Sequence, residues 1–336
     1  MKIHIPEFIT LGHGSGGLLT SRLIKDLILK YFPDPVLKRL EDSAELNLKK
    51  IGIAFTTDSY VINPIFFPGG DIGKLSICGT INDLSMKGAI PQYISFSLIL
   101  EEGLSFDELE KILKSASATA RRAGVRVVCG DTKVVEKGKA DKLFITTSGI
   151  GIIKKKLDKE KIKPGDLVVI SGTIGDHGIA VMNQRLHLNL KANFKSDCAP
   201  LNLITNKLFQ KNFDIKFMRD PTRGGVVAVL NEIAENEDWG IVINEANIPV
   251  RPEVKGACEI LGLDPLYIAN EGKFIAVIDS GSTKAFLSFL KKWPLGKNAR
   301  VIGEIKKDLS GVWLRTIIGG MRPLLQFETE GLPRIC

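Results

Sequence analysis

Five aspartates of this chain stand in turn-forming surroundings, beside Gly, Ser or Thr and near predicted strand ends. They are Asp42 in EDSA, Asp58 in TTDS, Asp83 in INDLS, Asp131 in CGDTK and Asp220 in MRDPTRGG. A single aspartate in such a setting is most often a turn or helix-capping residue. Five with similar surroundings favour a site for a hard divalent cation, because Mg²⁺ binds carboxylate and phosphate oxygens rather than sulfur. The pattern therefore predicts a metal–nucleotide site.

Two glycine-rich segments precede predicted helices and could bind phosphate. GHGSGG at 12–17 has the G-x-G-x-x-G spacing, but the stretch before it is short and contains Pro6, which argues against a dinucleotide site. Free amides and the helix dipole suit an anion there, and a flexible N-terminal loop is equally consistent with the pattern. DPTRGG at 220–225 opens a second predicted helix. Arg223 and Lys133 stand beside two of the aspartates and could neutralise phosphate charge. The motif G-x-x-x-x-G-K-[ST] does not occur, which excludes a P-loop NTPase.

Histidine, glutamate and cysteine give weaker signals. No two of the four histidines have zinc-binding spacing, and we predict that His177, in GDHG, lies in a loop. Glu271, in IANEGKF, directly precedes a predicted strand, as catalytic bases often do, but by itself it is indistinguishable from a surface glutamate. The five cysteines form no C-x-x-C pair, which favours reduced thiols over a disulfide framework or a zinc knuckle.

The last residues differ from the rest of the chain. From Gly319 onward there is no clear periodicity, and the sequence ends on Cys336. The segment is either a frayed terminus or an arm that carries a reactive thiol. Fully extended from Gly320, such an arm could reach about 50 Å at ~3.3 Å per residue.

Regular elements alternate along the chain, which predicts a mixed α/β class. At 336 residues one core is past its usual size, so two domains are expected. We place them at 1–155 and 156–318, with a flexible tail at 319–336. Predicted helices cover 18–31, 72–87, 106–124, 222–236 and 283–293, and predicted strands cover 51–62, 91–100, 125–130, 142–153, 166–172 and 273–279.

Composition excludes several classes of protein. The net charge is +8, but its densest lysine cluster, at 154–163, is broken by acidic residues, ends in Pro-Gly and lacks aromatics. It is typical of a solvated link rather than a nucleic-acid site. No apolar run is long enough for a membrane span. The first residues lack the charged segment followed by an apolar segment that is typical of a secretory signal peptide. We expect a cytoplasmic protein with no nucleic acid and no membrane among its partners.

Taken together, the motifs resemble a known family. They are GHGSGG at 12–17, TTDSYVINPIFFPGGDIGKL at 56–75, INDLSMKGA at 81–89, CGDTKVV at 129–135, SGTIGDHG at 171–178, MRDPTRGG at 218–225, NEGKF at 270–274 and PRIC at 333–336. The chain closely resembles the carbamoyl dehydratases of hydrogenase maturation, which share a superfamily with aminoimidazole ribonucleotide synthetase, selenophosphate synthetase and thiamine-monophosphate kinase. Most motifs are shared by the superfamily, whereas the ending PRIC is typical of the maturation proteins.

The resemblance implies a PurM-like two-domain fold whose N-terminal domain forms a homodimer, with ATP and Mg²⁺ between the domains. It implies that a HypF-like carbamoyltransferase loads the terminal cysteine. The carboxamide is then dehydrated to S-cyanide with hydrolysis of ATP. The cyanide passes to the iron of a [NiFe]-hydrogenase centre through a HypC/HypD-like scaffold.

The resemblance also implies roles for individual residues. The five aspartates would hold Mg²⁺, and Cys336, Glu271 and Lys133 would act in catalysis as carrier, base and charge partner. The residues expected at the nucleotide are Gly14, Ser15, Gly16, Gly17, Asn82, Thr132, Thr222, Arg223, Gly224 and Gly225.

Other functions remain open at this point. A small-molecule kinase of the superfamily needs no terminal cysteine, and a selenophosphate synthetase would carry its reactive residue near the first glycine loop, where this chain has none. A non-catalytic scaffold that docks partners through its tail would have no need for the aspartates.

Overall fold

The computed structural model describes residues 8–10, 23–35, 37–39, 52–188, 190, 192–326 and 334–336. The glycine loop at 12–17, with Gly14, Ser15, Gly16 and Gly17, lies outside the described residues, as does Asp42. Of the first predicted helix, a π-helical stretch Leu23–Ile28 and α1 (Leu29–Tyr31) are described.

The N-terminal half is built on one sheet with the strand order β1-β7-β4-β5, in which β6 also pairs with β4. Its pairs with β7 are antiparallel, while β5 and β6 run parallel to β4. Two helices, α2 and α3, pack on one face of this sheet. The elements are β1 (Ile53–Tyr60), β2 (Phe66–Phe67), β3 (Gly70–Asp71), α2 (Ile72–Met86), β4 (Ala89–Glu101), α3 (Phe106–Ala123), β5 (Arg126–Cys129), β6 (Thr132–Val135) and β7 (Leu143–Ile153).

The two helices differ because their sequences differ. In α3, the Ser105 hydroxyl accepts the backbone N–H of Glu108 at 3.2 Å, and Gly124 ends the helix at φ 69°. By contrast α2 is buried on nearly all sides. Gly79 lies where a Cβ would clash with the hydroxyl of Tyr60, so glycine lets α2 lie directly on β1.

The C-terminal half has a seven-stranded sheet in the order β14-β13-β10-β12-β8-β11-β9, largely antiparallel. Separate buried apolar clusters cover its two faces. Both halves are mixed α/β, which confirms the predicted class. The elements are β8 (Leu167–Ile170), α4 (Asp176–Arg185), α5 (Asn202–Leu208), β9 (Ile215–Arg219), α6 (Gly225–Ala234), β10 (Gly240–Asn244), α7 (Pro252–Leu261), β11 (Ile275–Ile278), α8 (Ser280–Leu290), β12 (Arg300–Lys306), β13 (Gly311–Arg315) and β14 (Met321–Pro323).

The segment predicted as a flexible tail from 319 starts with regular structure instead. Trp313 of β13 pairs with Pro323 of β14, across a turn in which the N–H of Thr316 donates to the carbonyl of Gly320 at 2.8 Å. The sequence of β14 shows no alternation of apolar and polar residues, because all three of its residues are exposed. Within the described ranges, every helix is too short or too polar to span a lipid bilayer.

Candidate active site between the two halves

Three of the predicted aspartates come together where the halves meet. Asp58 lies on β1, Asp83 on α2 and Asp220 directly after β9. The hydroxyl of Thr56, on the same face of β1 as Asp58, donates to Asp83 Oδ2 at 2.9 Å. Burial raises the pKa of Asp83, and the charge of Asp58 raises it further. Burial, followed by the charge of Asp83, raises the pKa of Asp220 to about 8. The three carboxylates therefore share one electrostatic environment.

This cluster has the chemistry of a cation site that is completed by a ligand. Asp220 Oδ2 is buried and has no hydrogen-bond partner among the described residues. A hard cation would offset the repulsion among the three carboxylates and would give the unpaired oxygen of Asp220 a partner. Mg²⁺ commonly binds one or two carboxylates together with phosphates and water. Among the described residues, no three His, Cys, Asp or Glu groups are arranged to hold an ion by themselves. The donor set fits Mg²⁺ shared with a phosphate ligand, not a closed protein cage.

Glu271 lies in the same region and is 2% exposed. Its backbone is held from two sides: its N–H donates to Asp197 Oδ1 at 3.0 Å, and its carbonyl accepts from Asn82 Nδ2 at 3.2 Å. Its carboxyl oxygen Oε1 has no hydrogen-bond partner among the described residues. Burial raises the pKa of Glu271 well above its usual range, and the charge of Asp220 adds to the shift. A buried carboxyl with a raised pKa is suited to proton transfer near neutral pH.

Three residues that sequence reasoning did not select support this arrangement. The amide of Asn270 donates to the carbonyl of Pro221 at 3.1 Å and accepts the N–H of Gly175 at 2.8 Å, which ties together three loops. Lys273 pairs with Asp197 at 3.2 Å, and both side chains are almost fully buried. Asn270 and Lys273 belong to the NEGKF motif, which could have suggested them. Asp197 lies in an irregular segment and gave no signal.

The loop 220–225 leads into α6 as predicted. Gly224 and Gly225 have φ of 72° and 63°, and a Cβ on Gly225 would lie 2.5 Å from the carbonyl oxygen of Leu266. Glycine is therefore required for this tight entry. Thr222 is half-buried and Arg223 is exposed. The helix α6 thus begins five residues after Asp220, and the start of a helix is suited to anions.

Asn82 has its side-chain amide engaged within the protein. Besides the carbonyl of Glu271, its Nδ2 reaches the carbonyl of Ala199 at 3.2 Å, and its Oδ1 accepts the N–H of Leu201 at 2.8 Å. These bonds join α2 to the C-terminal half and fix the backbone of Glu271. A contact of Asn82 with nucleotide stays a prediction.

Asp131 and Lys133 are not brought to the other aspartates within one chain. Thr132, the residue between them, pairs with buried Leu98, whereas Lys133 pairs with Ile99, which is 41% exposed. Side chains alternate along a strand, so Asp131 and Lys133 lie on the open face of the sheet, opposite to α2. Lys133 Nζ bonds Asp131 Oδ1 at 2.9 Å and lowers the pKa of that carboxyl.

The end of the chain is docked against the residues that follow β1. The N–H of Val61 donates to the backbone oxygen of Cys336 at 3.2 Å, and the N–H of Asn63 donates to the carbonyl oxygen of Arg334 at 3.4 Å. Arg334 Nε returns a bond to the carbonyl of Val61 at 3.0 Å, and its guanidinium pairs with Asp141. Cys336 is half-buried and forms no disulfide. The backbone of Cys336 is thereby held next to the end of β1, the strand that carries Asp58.

His177 contacts this docked end, and our prediction of a loop histidine is wrong. It is the second residue of α4 and is fully buried. Its Nε2 lies 2.8 Å from the carbonyl oxygen of Ile335, and its Nδ1 lies 2.8 Å from Ser196 Oγ. Ile335 itself is 1% exposed.

Comparison with known proteins identifies the family of this chain. The AIR synthase related protein family models match residues 40–153 for the N-terminal domain and 163–313 for the C-terminal domain. Carbamoyl dehydratase HypE of Cupriavidus necator is 44% identical over 332 residues, which are 98% of this chain and 95% of that protein. The chain belongs to the HypE family. The resemblance predicted from the motifs is confirmed.

Solved structures of HypE proteins have the same fold. A HypE crystal structure in complex with ATP is 46% identical, with a TM-score of 0.92 over 97% of this chain and 99% of that one. HypE in a HypE–HypF complex is 45% identical, with a TM-score of 0.80 over 91% of this chain and 99% of that one. The predicted PurM-like fold is confirmed for this HypE family member.

Proposed function

We propose that this protein is an ATP-dependent carbamoyl dehydratase that converts an S-carboxamide on Cys336 into S-cyanide, the source of the cyanide ligand in [NiFe]-hydrogenase iron-centre assembly. The observation that carries the proposal is the docked chain end. It holds the backbone of Cys336 against Val61, which directly follows β1, the strand that carries Asp58. The HypE relatives carry the name of this activity, and one was crystallised with ATP.

The reaction needs a better leaving group than an amide oxygen. Transfer of the γ-phosphoryl group of ATP to the carboxamide oxygen, with loss of one N–H proton, gives an S-linked imidate phosphate and ADP. Loss of the second N–H proton forms the C≡N bond as the C–O bond breaks and phosphate leaves. The sum is carboxamide plus ATP to cyanide, ADP and phosphate.

Glu271 is the group proposed to take the N–H protons. Its buried position makes it a stronger base than an exposed carboxylate once it is ionised. Asp197 and Asn82 hold its backbone on both sides, so its carboxyl is pre-positioned. Proton transfer by such a positioned group typically contributes about 10²–10⁴-fold in rate.

The phosphates would be bound at the cluster of Asp58, Asp83 and Asp220. Mg²⁺ held by these carboxylates would neutralise phosphate charge during phosphoryl transfer. The amides at the start of α6 and the exposed guanidinium of Arg223 lie on the same loop as Asp220 and would bind phosphate oxygens.

A second copy of the chain is the proposed partner of the open sheet face. Large apolar side chains are exposed there, namely Phe55 at 68% and Ile53 and Ile99 at 41% each. An exposed apolar patch of this kind marks an interaction surface. A homodimer through this face would place Asp131 and Lys133 at the subunit interface, where they could act on a ligand shared between two chains.

Two further partners follow from the reaction. A HypF-like carbamoyltransferase would supply the carbamoyl group, and a relative is seen in a HypE–HypF complex. A HypC/HypD-like scaffold would accept the cyanide for iron. The reaction would take place in the cytoplasm.

The test is intact-mass measurement of protein shown to be carbamoylated on Cys336. Addition of MgATP should remove about 18 Da as water, because dehydration of a covalently held carboxamide releases no other atoms from the protein. Cys336→Ala should fold but accept no carbamoyl group. An unchanged mass in a carbamoylated wild-type sample would favour a docking scaffold over an enzyme.

A further inference from the structure

His177 joins three parts of the molecule that otherwise belong to different regions. The helix that carries it, α4, belongs to the C-terminal half. Its ring packs against Phe67 of the N-terminal half in a T-shaped arrangement, with ring centroids 5.4 Å apart and an interplanar angle of 88°. Its two nitrogens face Ser196 of a C-terminal loop and Ile335 of the chain end. The side chain therefore lies where all three meet.

The hydrogen-bond partners fix the tautomer of this ring. The carbonyl of Ile335 can only accept, so Nε2 of His177 carries the hydrogen and donates to it. Burial lowers the pKa of His177, so the ring is neutral and Nδ1 accepts from the Ser196 hydroxyl. Ser196 Oγ in turn accepts the backbone N–H of Cys198 at 3.0 Å. The ring is thus held in one orientation, with its donor aimed at the chain end.

The segment 196–198 connects this ring to the proposed base. Asp197 accepts the N–H of Glu271 at 3.0 Å, while Ser196 holds the ring that bonds Ile335. Two adjacent residues thereby fix both the base and the carbonyl that precedes Cys336. Because Ser196 and Asp197 are adjacent in the chain, movement of the ring relative to Glu271 is resisted.

We propose that His177 is a positioning residue, which holds the carbonyl of Ile335 and so sets the place of the group carried on Cys336 relative to Glu271. The proposal deepens the dehydratase function and rests on it, but the holding of the chain end can be measured without any turnover. When the chain end moves away, the Nε2–H of the buried His177 ring loses the carbonyl of Ile335 as its acceptor. An unpaired buried donor is unfavourable, so His177 stabilises the state in which the chain end is docked.

The test is the rate at which iodoacetamide alkylates Cys336, followed peptide by peptide with mass spectrometry. His177→Ala should raise this rate roughly three- to ten-fold, the effect of losing one hydrogen bond. His177→Gln, whose amide can still donate, should raise it less. Ser196→Ala, which removes the partner of Nδ1, should also raise it. The matched control is His187→Ala, since His187 is exposed and should leave the rate unchanged.

Two results would overturn the proposal. One is an unchanged rate in a folded His177→Ala protein. The other is equal acceleration at buried Cys78 and Cys198, which would mean that the whole protein has loosened. Where His177→Ala fails to fold, Ser196→Ala decides, and an unchanged rate at Cys336 in that variant contradicts the proposal.

A single-turnover measurement separates this proposal from the dehydratase function itself. In carbamoylated protein, His177→Ala should slow the loss of water, leave the KM for ATP unchanged and be partly rescued by His177→Gln. Glu271→Gln should slow the loss of water by about 10²-fold or more without changing the alkylation rate of Cys336. If wild-type protein loses no water, the dehydratase proposal fails while alkylation still reports the role of His177. A slowed reaction with a raised KM for ATP would contradict a role confined to the chain end.

Discussion

Asp220 and Asp131 follow strands in similar turn-forming surroundings, yet they lie in opposite environments. Asp220 is buried between the halves, and its pKa is raised to about 8 by burial and by neighbouring carboxylates. Asp131 is exposed on the open sheet face, and its pKa is lowered by the bond from Lys133. Turn chemistry locates the ends of strands, but the face that a side chain occupies is set by alternation along the strand. The difference separates an inner set of predicted site residues, Asp58, Asp83, Asp220 and Glu271, from an outer pair, Asp131 and Lys133.

The inner set should give the largest loss of activity. Glu271→Gln keeps the size of the side chain and removes the proton acceptor, so the single-turnover rate of dehydration should fall by about 10²-fold or more. Lys133→Gln, on the outer face, is the comparison that shows whether the open face contributes to the chemistry. Dehydration by Glu271→Gln at the wild-type rate would remove Glu271 from the mechanism.

The outer face should control association instead. Phe55→Asp places a charge in the exposed apolar patch and should weaken a homodimer at least about ten-fold, because a charge buried in an apolar interface is costly. Sedimentation measures the change in mass across a concentration series. Ile260→Asp is a matched control, since Ile260 is 72% exposed on α7 of the other half. A dimer that Phe55→Asp leaves intact, or that Ile260→Asp disrupts, would contradict the assignment of this face.

The smallest effect is a difference in how stability depends on pH. A carboxyl with a raised folded pKa binds its proton more tightly in the folded state, so its contribution to stability is present in acid and is lost as pH rises from about 4 to about 8. Asp220→Asn should therefore flatten the fall of Tm over this range by a few degrees.

Asp131→Asn is the control for that experiment and has the opposite sign. Its folded pKa is lowered, so any stabilisation is present above the unfolded pKa and is lost as pH falls through the folded one. Because Asp131 is 61% exposed, the effect should be small. An equal flattening in both variants would mean that the inner and outer aspartates do not differ.

Local sequence patterns predicted where helices and strands begin and end better than they predicted which residues contact each other. Ser105 with Glu108 and Gly124 marked both ends of α3, because capping depends on residues close in sequence. The glycines at 224 and 225 marked the entry to α6 for the same reason. His177 was misplaced because its partners, Ser196 and Ile335, are 19 and 158 residues away.

For a related reason, the sequence alone does not show which of the predicted site residues belong to the inner set and which to the outer pair. The burial of Asp220 depends on the packing of β9 against the N-terminal half, which no local pattern encodes. In β6, Thr132 is buried although its neighbours Asp131 and Lys133 are polar and exposed. A four-residue strand made of Thr132, Lys133 and two valines carries too little apolar alternation to define its faces.

The most direct test of the central claim is peptide-level mass measurement after one turnover of carbamoylated protein with MgATP. The account predicts that the C-terminal peptide ending in Cys336 loses about 18 Da and that the same peptide of Glu271→Gln does not. Loss of water at another cysteine, or an unchanged C-terminal peptide in the wild-type protein, would contradict it.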